Sequence, residues 1–235
     1  MQGLRTAGLL HRGFAYLCLL NSLPILVVIY GTIRALGQSP IFSQERVGYR
    51  ERIFVIYKFR TIPRNGWDSL EAESGRARAK IYRRFVAFLR KTGLDELPQL
   101  INIARGEMRF IGPRPLTADD YFSLPEIRRL RSMCHPGVTG LAQVNGGQAL
   151  DPVSKLVLDV YQQSRLNLRL VILIVLRSAA RIFGFTSVIS RPCPILLERA
   201  KTTVADQLRA IGHGDDAALI DAVLGCSGNL SGSAT

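Results

Sequence analysis

Cysteine is scarce and scattered in this chain: four in 235 residues, at positions 18, 134, 193 and 226. They lie too far apart for metal-ligand spacing and give no disulfide framework, which leaves a reducing, cytosolic setting as the default. Histidine is rarer still, with three, and Cys134-His135 reads as two structural neighbours rather than half a metal site. Aromatic residues make up 8%. With no nucleic-acid motif beside them, they turn the reading away from DNA or RNA. Acids are short as well, 18 against 31 Lys plus Arg, for a formal charge of +13. Such an excess calls for a polyanionic neighbour. Hydrophobic residues nevertheless reach 47%, and a chain both oily and basic suits an anionic membrane surface or phosphorylated substrates.

No uninterrupted spanning segment is present near the start. The apolar run from Phe14 to Tyr30 is broken by Asn21-Ser22-Leu23-Pro24 and flanked by Arg5, Arg12 and Arg34. A span needs about 20 apolar residues. Positive charge on both sides gives no orientation, and no small-residue cleavage site follows the run. A hairpin that enters and leaves on one face, breaking at Ser22 and Pro24, fits these residues as well as a kinked spanning helix does.

From Ser39 the composition becomes that of a water-soluble domain. Ile53 to Arg60 reads as a strand, with Lys58 and Arg60 on one side and Tyr57 and Phe59 on the other. Two cations aimed together suit a diphosphate. Residues 63–76 read as a mobile loop. A basic amphipathic helix follows over about 76–91, its apolar face marked by Ile81, Phe85, Phe88 and Leu89.

Arg90 to Leu100 then sets two adjacent carboxylates, Asp95 and Glu96, at a helix start. Pro98 belongs in a first turn, and Thr92 or Asp95 is the expected cap. A first turn holds a carboxylate ionised and attracts phosphate, although Asp and Glu also favour such turns for purely structural reasons. Gly112-Pro113-Arg114-Pro115 presents an arginine on rigid backbone. The glycines and amides from Pro136 to Gly147 suit close approach to a ligand, but the stretch lacks the lysine and spacing of a P-loop. Pro152 to Ser164 is an expected helix. Asn167 to Phe183 is a second, too short to span comfortably and basic at its borders, and so either interfacial or buried. Beyond Arg191 two helices are expected, Ile195–Ile211 and Asp215–Leu224, followed by a Gly/Ser tail.

Taken in series, the broken N-terminal segment, Lys58-Phe59-Arg60-Thr61, Arg90 to Leu100, Gly112 to Pro115, Pro136 to Gly140 and Ala142 to Gly146 resemble the bacterial sugar transferase family. These are the monotopic phosphoglycosyl transferases, and the likeness covers about residues 10 to 185. The resemblance implies transfer of a sugar 1-phosphate from a nucleoside diphosphate sugar, usually a UDP-sugar, to polyprenol phosphate, with UMP leaving and exopolysaccharide or glycoconjugate assembly begun. It assigns Asp95 as nucleophile through a covalent phosphosugar, and Glu96 as a holder of Mg²⁺. Lys58, Arg60, Arg90 and Arg114 would bind phosphate, and Gln143 and Asn145 would line the substrate site. It also implies a re-entrant hairpin broken at Ser22 and Pro24, with the catalytic domain on the cytosolic face of the bacterial inner membrane.

The chain departs from the family pattern at Leu141 (usually aromatic), at Gly147-Gln148 (usually an arginine) and at Leu23 (where a Ser-Pro break is typical). The expected architecture is α/β, mostly helical with a small β element. It divides into a membrane segment at 1–38, a catalytic domain at 39–190 and a helical extension at 191–235. The expected partners are the nucleotide sugar, polyprenol phosphate, membrane lipid and, for self-association, a homodimer; nucleic acid is not among them. Two rival readings remain: a phosphotransferase on another lipid phosphate, and a non-catalytic basic protein that binds anionic lipid.

Overall fold

The structure, a computed structural model, describes residues 2–182 and 193–210. It is mostly helical with two two-stranded sheets, as the expected class requires. The chain forms two compact units. One takes in Met1–Arg46 and Ile53–Arg109; the other takes in Val47–Arg52, Phe110–Arg181 and the C-terminal helix.

The first unit begins with α1, Gln2–Ala35, a continuous helix with Pro24 inside it. Proline offers no N–H to the carbonyl four residues back. Nearby side chains bond other carbonyls of the same stretch: Asn21 donates to Leu17 at 2.8 Å and Ser22 to Leu19 at 3.1 Å. His11–Ala35 is long and apolar enough to cross a membrane, and only 11% of its most apolar window is buried. The buried residues are Ala15 near one end and Ile29 and Ile33 near the other.

β1 (Ile41–Val47) pairs with β2 (Ile53–Phe59), where β-branched and aromatic residues favour the pleat. α2 spans Gly66–Thr92 with a break at Gly75, whose φ of +80° no ordinary side chain adopts readily. The expected loop at 63–76 is therefore largely helix, held by Leu70 and Trp67 against the core. The expected apolar face is also corrected. Ala79, Tyr82, Val86 and Leu89 repeat at helical spacing and are buried with Ile29, Ile33 and Phe59. Ile81 and Phe88 lie on a different side and are exposed.

After α2 come a 3₁₀ turn, Leu94–Gln99, and α3, Leu100–Arg105. Neither Thr92 nor Asp95 caps them. The Thr92 hydroxyl turns back to the carbonyls of Phe88 and Leu89. Gly93, at φ +73°, both closes α2 and opens the 3₁₀ turn.

In the second unit β3 (Arg109–Ile111) pairs with β4 (Gly137–Thr139); Arg109 itself belongs to the first unit. Here the sequence reading of the glycines is overturned. A Cβ on Gly137 would lie 2.1 Å from the Gly112 nitrogen, and one on Gly140 2.3 Å from the Gly112 oxygen. The close approach is backbone to backbone rather than backbone to ligand.

Short helices α4 (Ala118–Phe122), α5 (Arg128–Ser132) and α6 (Leu141–Val144) lead to α7 (Pro152–Arg165). Asp151 caps α7 by accepting from the Ser154 amide. α8 (Leu168–Ile182) and α9 (Pro194–Ala210) follow. Leu156, Val160, Ile174, Val204 and Leu208 share one core. α9 matches the expected helix from Ile195; the helix expected at 215–224 and the tail lie outside the described residues.

Candidate active site

Two elements of the first unit bring the acidic pair to its partners. β2 carries Lys58 beside the 3₁₀ turn, and Lys58 Nζ lies 2.9 Å from Glu96 Oε1. Both side chains keep some solvent access, 16% and 21%. Asp95 is likewise half-buried. Burial lifts its pKa to about 6, and the neighbouring Glu96 charge adds to the rise, against the pull of Lys58 and Arg90. Asp95, Glu96, Lys58 and Arg90 thus form one electrostatic group. Near neutral pH Asp95 is mostly ionised despite its partial burial.

Arg60 parts from Lys58. Its guanidinium donates to the Ser39 carbonyl at 3.1 Å and to the Ile41 carbonyl at 3.3 Å, so it ties the start of β1. The two side chains are not aimed together as the strand alternation suggested.

Sequence reasoning missed Asn102, fully buried on α3. Its amide nitrogen donates to the Val55 carbonyl and to Glu107 Oε2, both at 2.7 Å, and its Oδ1 accepts from the Tyr57 amide at 3.3 Å. One side chain therefore locks β2, next to Lys58, onto the helix that follows the acidic pair. A buried asparagine with every polar atom used fixes a single register. The cue in the sequence was a lone Asn inside an apolar helix.

The other predicted residues belong to the second unit. Arg114 is exposed between buried Pro113 and Pro115, and its carbonyl accepts from Arg131 Nη2. Arg131 in turn pairs with Asp159 at 2.7 Å, both about 5% exposed. Burial raises the Asp159 pKa, and the arginine opposes that rise. Gln143 donates to the Val138 carbonyl at 2.9 Å. Asn145 is fully buried, its Oδ1 accepting from Arg177 and from the Cys193 amide, each at 3.0 Å. Gln143 Oε1 and Asn145 Nδ2 are buried without a hydrogen-bond partner among the described residues. Leu141, the residue that departs from the aromatic pattern, is wholly buried in the core.

Asp95 and Glu96 are the oxygen donors at this place that a hard divalent cation would use, with one Glu96 oxygen already paired to Lys58. Adjacent carboxylates repel, and a cation between them and a substrate would relieve that repulsion. Among the described residues no cluster of three His, Cys, Asp or Glu forms. A cation held here would complete its shell with water and phosphate oxygens, as Mg²⁺ does.

The sequence profile of the family described as bacterial sugar transferase matches residues 6–184. Among curated proteins, the chain is 31% identical over 173 residues to undecaprenyl-phosphate galactose phosphotransferase of Salmonella typhimurium, covering 66% of this chain and 36% of that one. It is 38% identical over 129 residues to UDP-glucose:undecaprenyl-phosphate glucose-1-phosphate transferase of Klebsiella pneumoniae, covering 52% and 27%. It is 33% identical over 173 residues to exopolysaccharide production protein ExoY of Rhizobium meliloti, covering 65% and 76%. The match spans about a third of the length of the first two relatives. With a profile that runs through α1, the acidic pair, the Pro-Arg-Pro loop and α8, the chain belongs to the bacterial sugar transferase family.

Proposed function

We propose that this protein is a phosphoglycosyl transferase. It moves a sugar 1-phosphate from a nucleoside diphosphate sugar, a UDP-sugar by analogy with the named relatives, to polyprenol phosphate. The observation that carries this reading is the adjacent pair Asp95 and Glu96, half-buried, with Lys58 2.9 Å from Glu96 and the fields of Lys58 and Arg90 acting on Asp95. An Asp95 oxygen attacks the sugar-bearing phosphorus, the bond to the bridging oxygen breaks, and UMP leaves with that electron pair. A phosphate oxygen of the polyprenol then attacks the same phosphorus and frees the carboxylate. No net proton is consumed, and Asp95 ends as it began.

Lys58 and Arg90 draw the diphosphate toward Asp95 and offset the negative charge that gathers at phosphorus. Glu96 would hold Mg²⁺, which when bound would neutralise phosphate charge. Arg114, exposed and rigid between prolines in the second unit, keeps its assignment to phosphate; fully buried Asn145 is instead a structural tie to Arg177 and Cys193.

The setting is the cytosolic face of the inner membrane. Both ends of α1 are tied to the same unit: Arg12 donates to the Ala104 carbonyl at 2.8 Å, and Arg78 donates to the Ala35 carbonyl at 3.2 Å. Those ties hold both ends of α1 to one unit, which supports two ends on one side of the bilayer. α1 is unbroken at Ser22 and Pro24, so the turn expected there is not seen, and a re-entrant course would require the helix to bend. Labelling of Leu9→Cys and Ser39→Cys in sealed vesicles tests it; modification from opposite sides would overturn it.

The decisive experiment incubates membranes with polyprenol phosphate and donor labelled in the sugar phosphate. The expected result is release of UMP and a labelled adduct on Asp95 before acceptor is added. Product formation with no adduct at any stage would sink the covalent route. No UMP from any nucleotide sugar would favour a phosphotransferase on another lipid phosphate, or a protein that only binds lipid.

A further inference from the structure

Around Gly106, at the end of α3, separate elements of the first unit bring cations together. Arg12 of α1 donates through Nε to the Ala104 carbonyl at 2.8 Å, and its Cδ, Nε and Cζ would lie within 3.9 Å of a Cβ placed on Gly106. Arg105 donates to the Tyr57 hydroxyl at 3.1 Å, its guanidinium 5.4 Å from the centre of that ring. Arg109 follows shortly after Gly106, and its charge is felt at His11, the neighbour of Arg12. All three arginines are exposed, and none forms an ion pair among the described residues. Glu107, the acid between Arg105 and Arg109, is half-buried with its Oε2 bonded by Asn102 at 2.7 Å. Charges of one sign gathered in this way repel one another, and an anion would relieve them.

An apolar stripe on α1 continues from the patch. At about 100° per residue, Tyr16, Leu20, Leu23 and Val27 fall with Arg12 in one arc roughly 80° wide, and these four are between 50% and 68% exposed. At the other end of α3 stands the 3₁₀ turn that carries Asp95 and Glu96, about 9 Å away by the rise of a six-residue helix.

We infer that the arginines around Gly106 are a seat for the phosphate of the lipid acceptor, a polyprenol phosphate whose chain runs along the α1 stripe. A phosphomonoester has three free oxygens and nearly two charges, enough to give each guanidinium an oxygen. An ordinary phospholipid diester offers two oxygens and one charge, and free phosphate makes no use of the stripe. A seat one short helix from Asp95 holds the acceptor while the donor occupies the acidic pair, as a two-step transfer needs. This rests on the proposed function for the identity of the acceptor and adds the place where it binds.

The test uses the full chain in detergent, as wild type and as the Arg105→Gln/Arg109→Gln double variant, which keeps the Arg12 tie between α1 and α3. Native mass spectrometry measures retention of undecaprenyl phosphate and of phosphatidylglycerol. The wild type should hold undecaprenyl phosphate roughly tenfold more tightly than phosphatidylglycerol, and the variant should lose most of that difference. Equal retention of the two lipids, equal affinity in wild type and variant, or displacement by equimolar inorganic phosphate overturns the seat. In turnover, KM for undecaprenyl phosphate should rise roughly tenfold in the variant, while the labelled adduct on Asp95 still forms from donor alone. An adduct lost together with transfer gives these arginines to the donor or to the fold, and overturns the seat. If the wild type forms no adduct with any nucleotide sugar yet binds undecaprenyl phosphate through these arginines, the proposed function falls and the seat stands.

Discussion

Lys58 reaches across from its strand to place its ammonium 2.9 Å from Glu96 Oε1, so this cation leans on the carboxylate next to Asp95, the proposed nucleophile. This arrangement divides the work. Glu96 is partly neutralised by direct contact with lysine, whereas Asp95 feels the same cation through its field.

Removing the ammonium should therefore be felt at Asp95. In Lys58→Met the pull that lowers the Asp95 pKa is gone, and the acid limb of the kcat/KM profile should move up from near pH 6 by about one unit. Turnover at neutral pH should fall roughly 10- to 100-fold. A pH–rate series measures both, and an unmoved limb would break the link between these residues.

Asp95→Asn should abolish UMP release and yet stabilise the fold. An acid whose folded pKa lies above its ordinary 3.8 holds its proton more tightly when folded. Its charge costs nothing below about pH 4, costs progressively more as pH rises through 6, and carries its full cost above that. The variant should gain up to about 2 kcal/mol near pH 7.5 and nothing near pH 4. Thermal melts at the two pH values distinguish this from an ordinary surface substitution, for which the gain would not depend on pH.

Asn102→Leu strands the Val55 carbonyl and the Tyr57 amide beside an apolar side chain. The loss should be about 2–4 kcal/mol by denaturant titration. Asn102→Asp in turn sets a second carboxylate beside Glu107 and should destabilise most above pH 5. A neutral outcome for both would remove the tie between strand and helix.

Asp159→Ala leaves Arg131 buried without its anion and should cost about 3–5 kcal/mol. Arg131→Met with Asp159→Leu should cost far less than the two single changes summed, since neither buried charge remains. The pair also bears on activity. Without Arg131 the carbonyl of Arg114 loses its donor, so KM for the nucleotide sugar should rise in the double variant even where stability recovers.

How much of this was readable from the chain depends on the range of the interaction. The helix at Pro152 and the strand at Ile53 declared themselves through local apolar spacing and local β-branching. The acidic pair was visible as two adjacent letters, but its perturbed pKa was not, because it arises from enclosure and from Lys58 on a separate strand. Ile81 and Phe88 misled because apolar spacing marks an oily face without saying what covers it. Gly137 and Gly140 misled for the converse reason: a glycine permits close approach, and only the fold shows that the neighbour is Gly112. Asn102 stayed hidden because its strand partners Tyr57 and Val55 lie 45 and 47 positions away, and Arg131 because Asp159 lies 28 away.

The exposed α8 side chains of Leu168, Ile172, Val175 and Leu176 bear on how the protein must be handled. Trimming residues 1–38 to obtain a detergent-free preparation would strip away α1 while those four still faced the solvent. Such a truncate should self-associate during gel filtration unless amphiphile is supplied, and replacing two of those leucine and isoleucine positions with glutamate should restore a monodisperse peak.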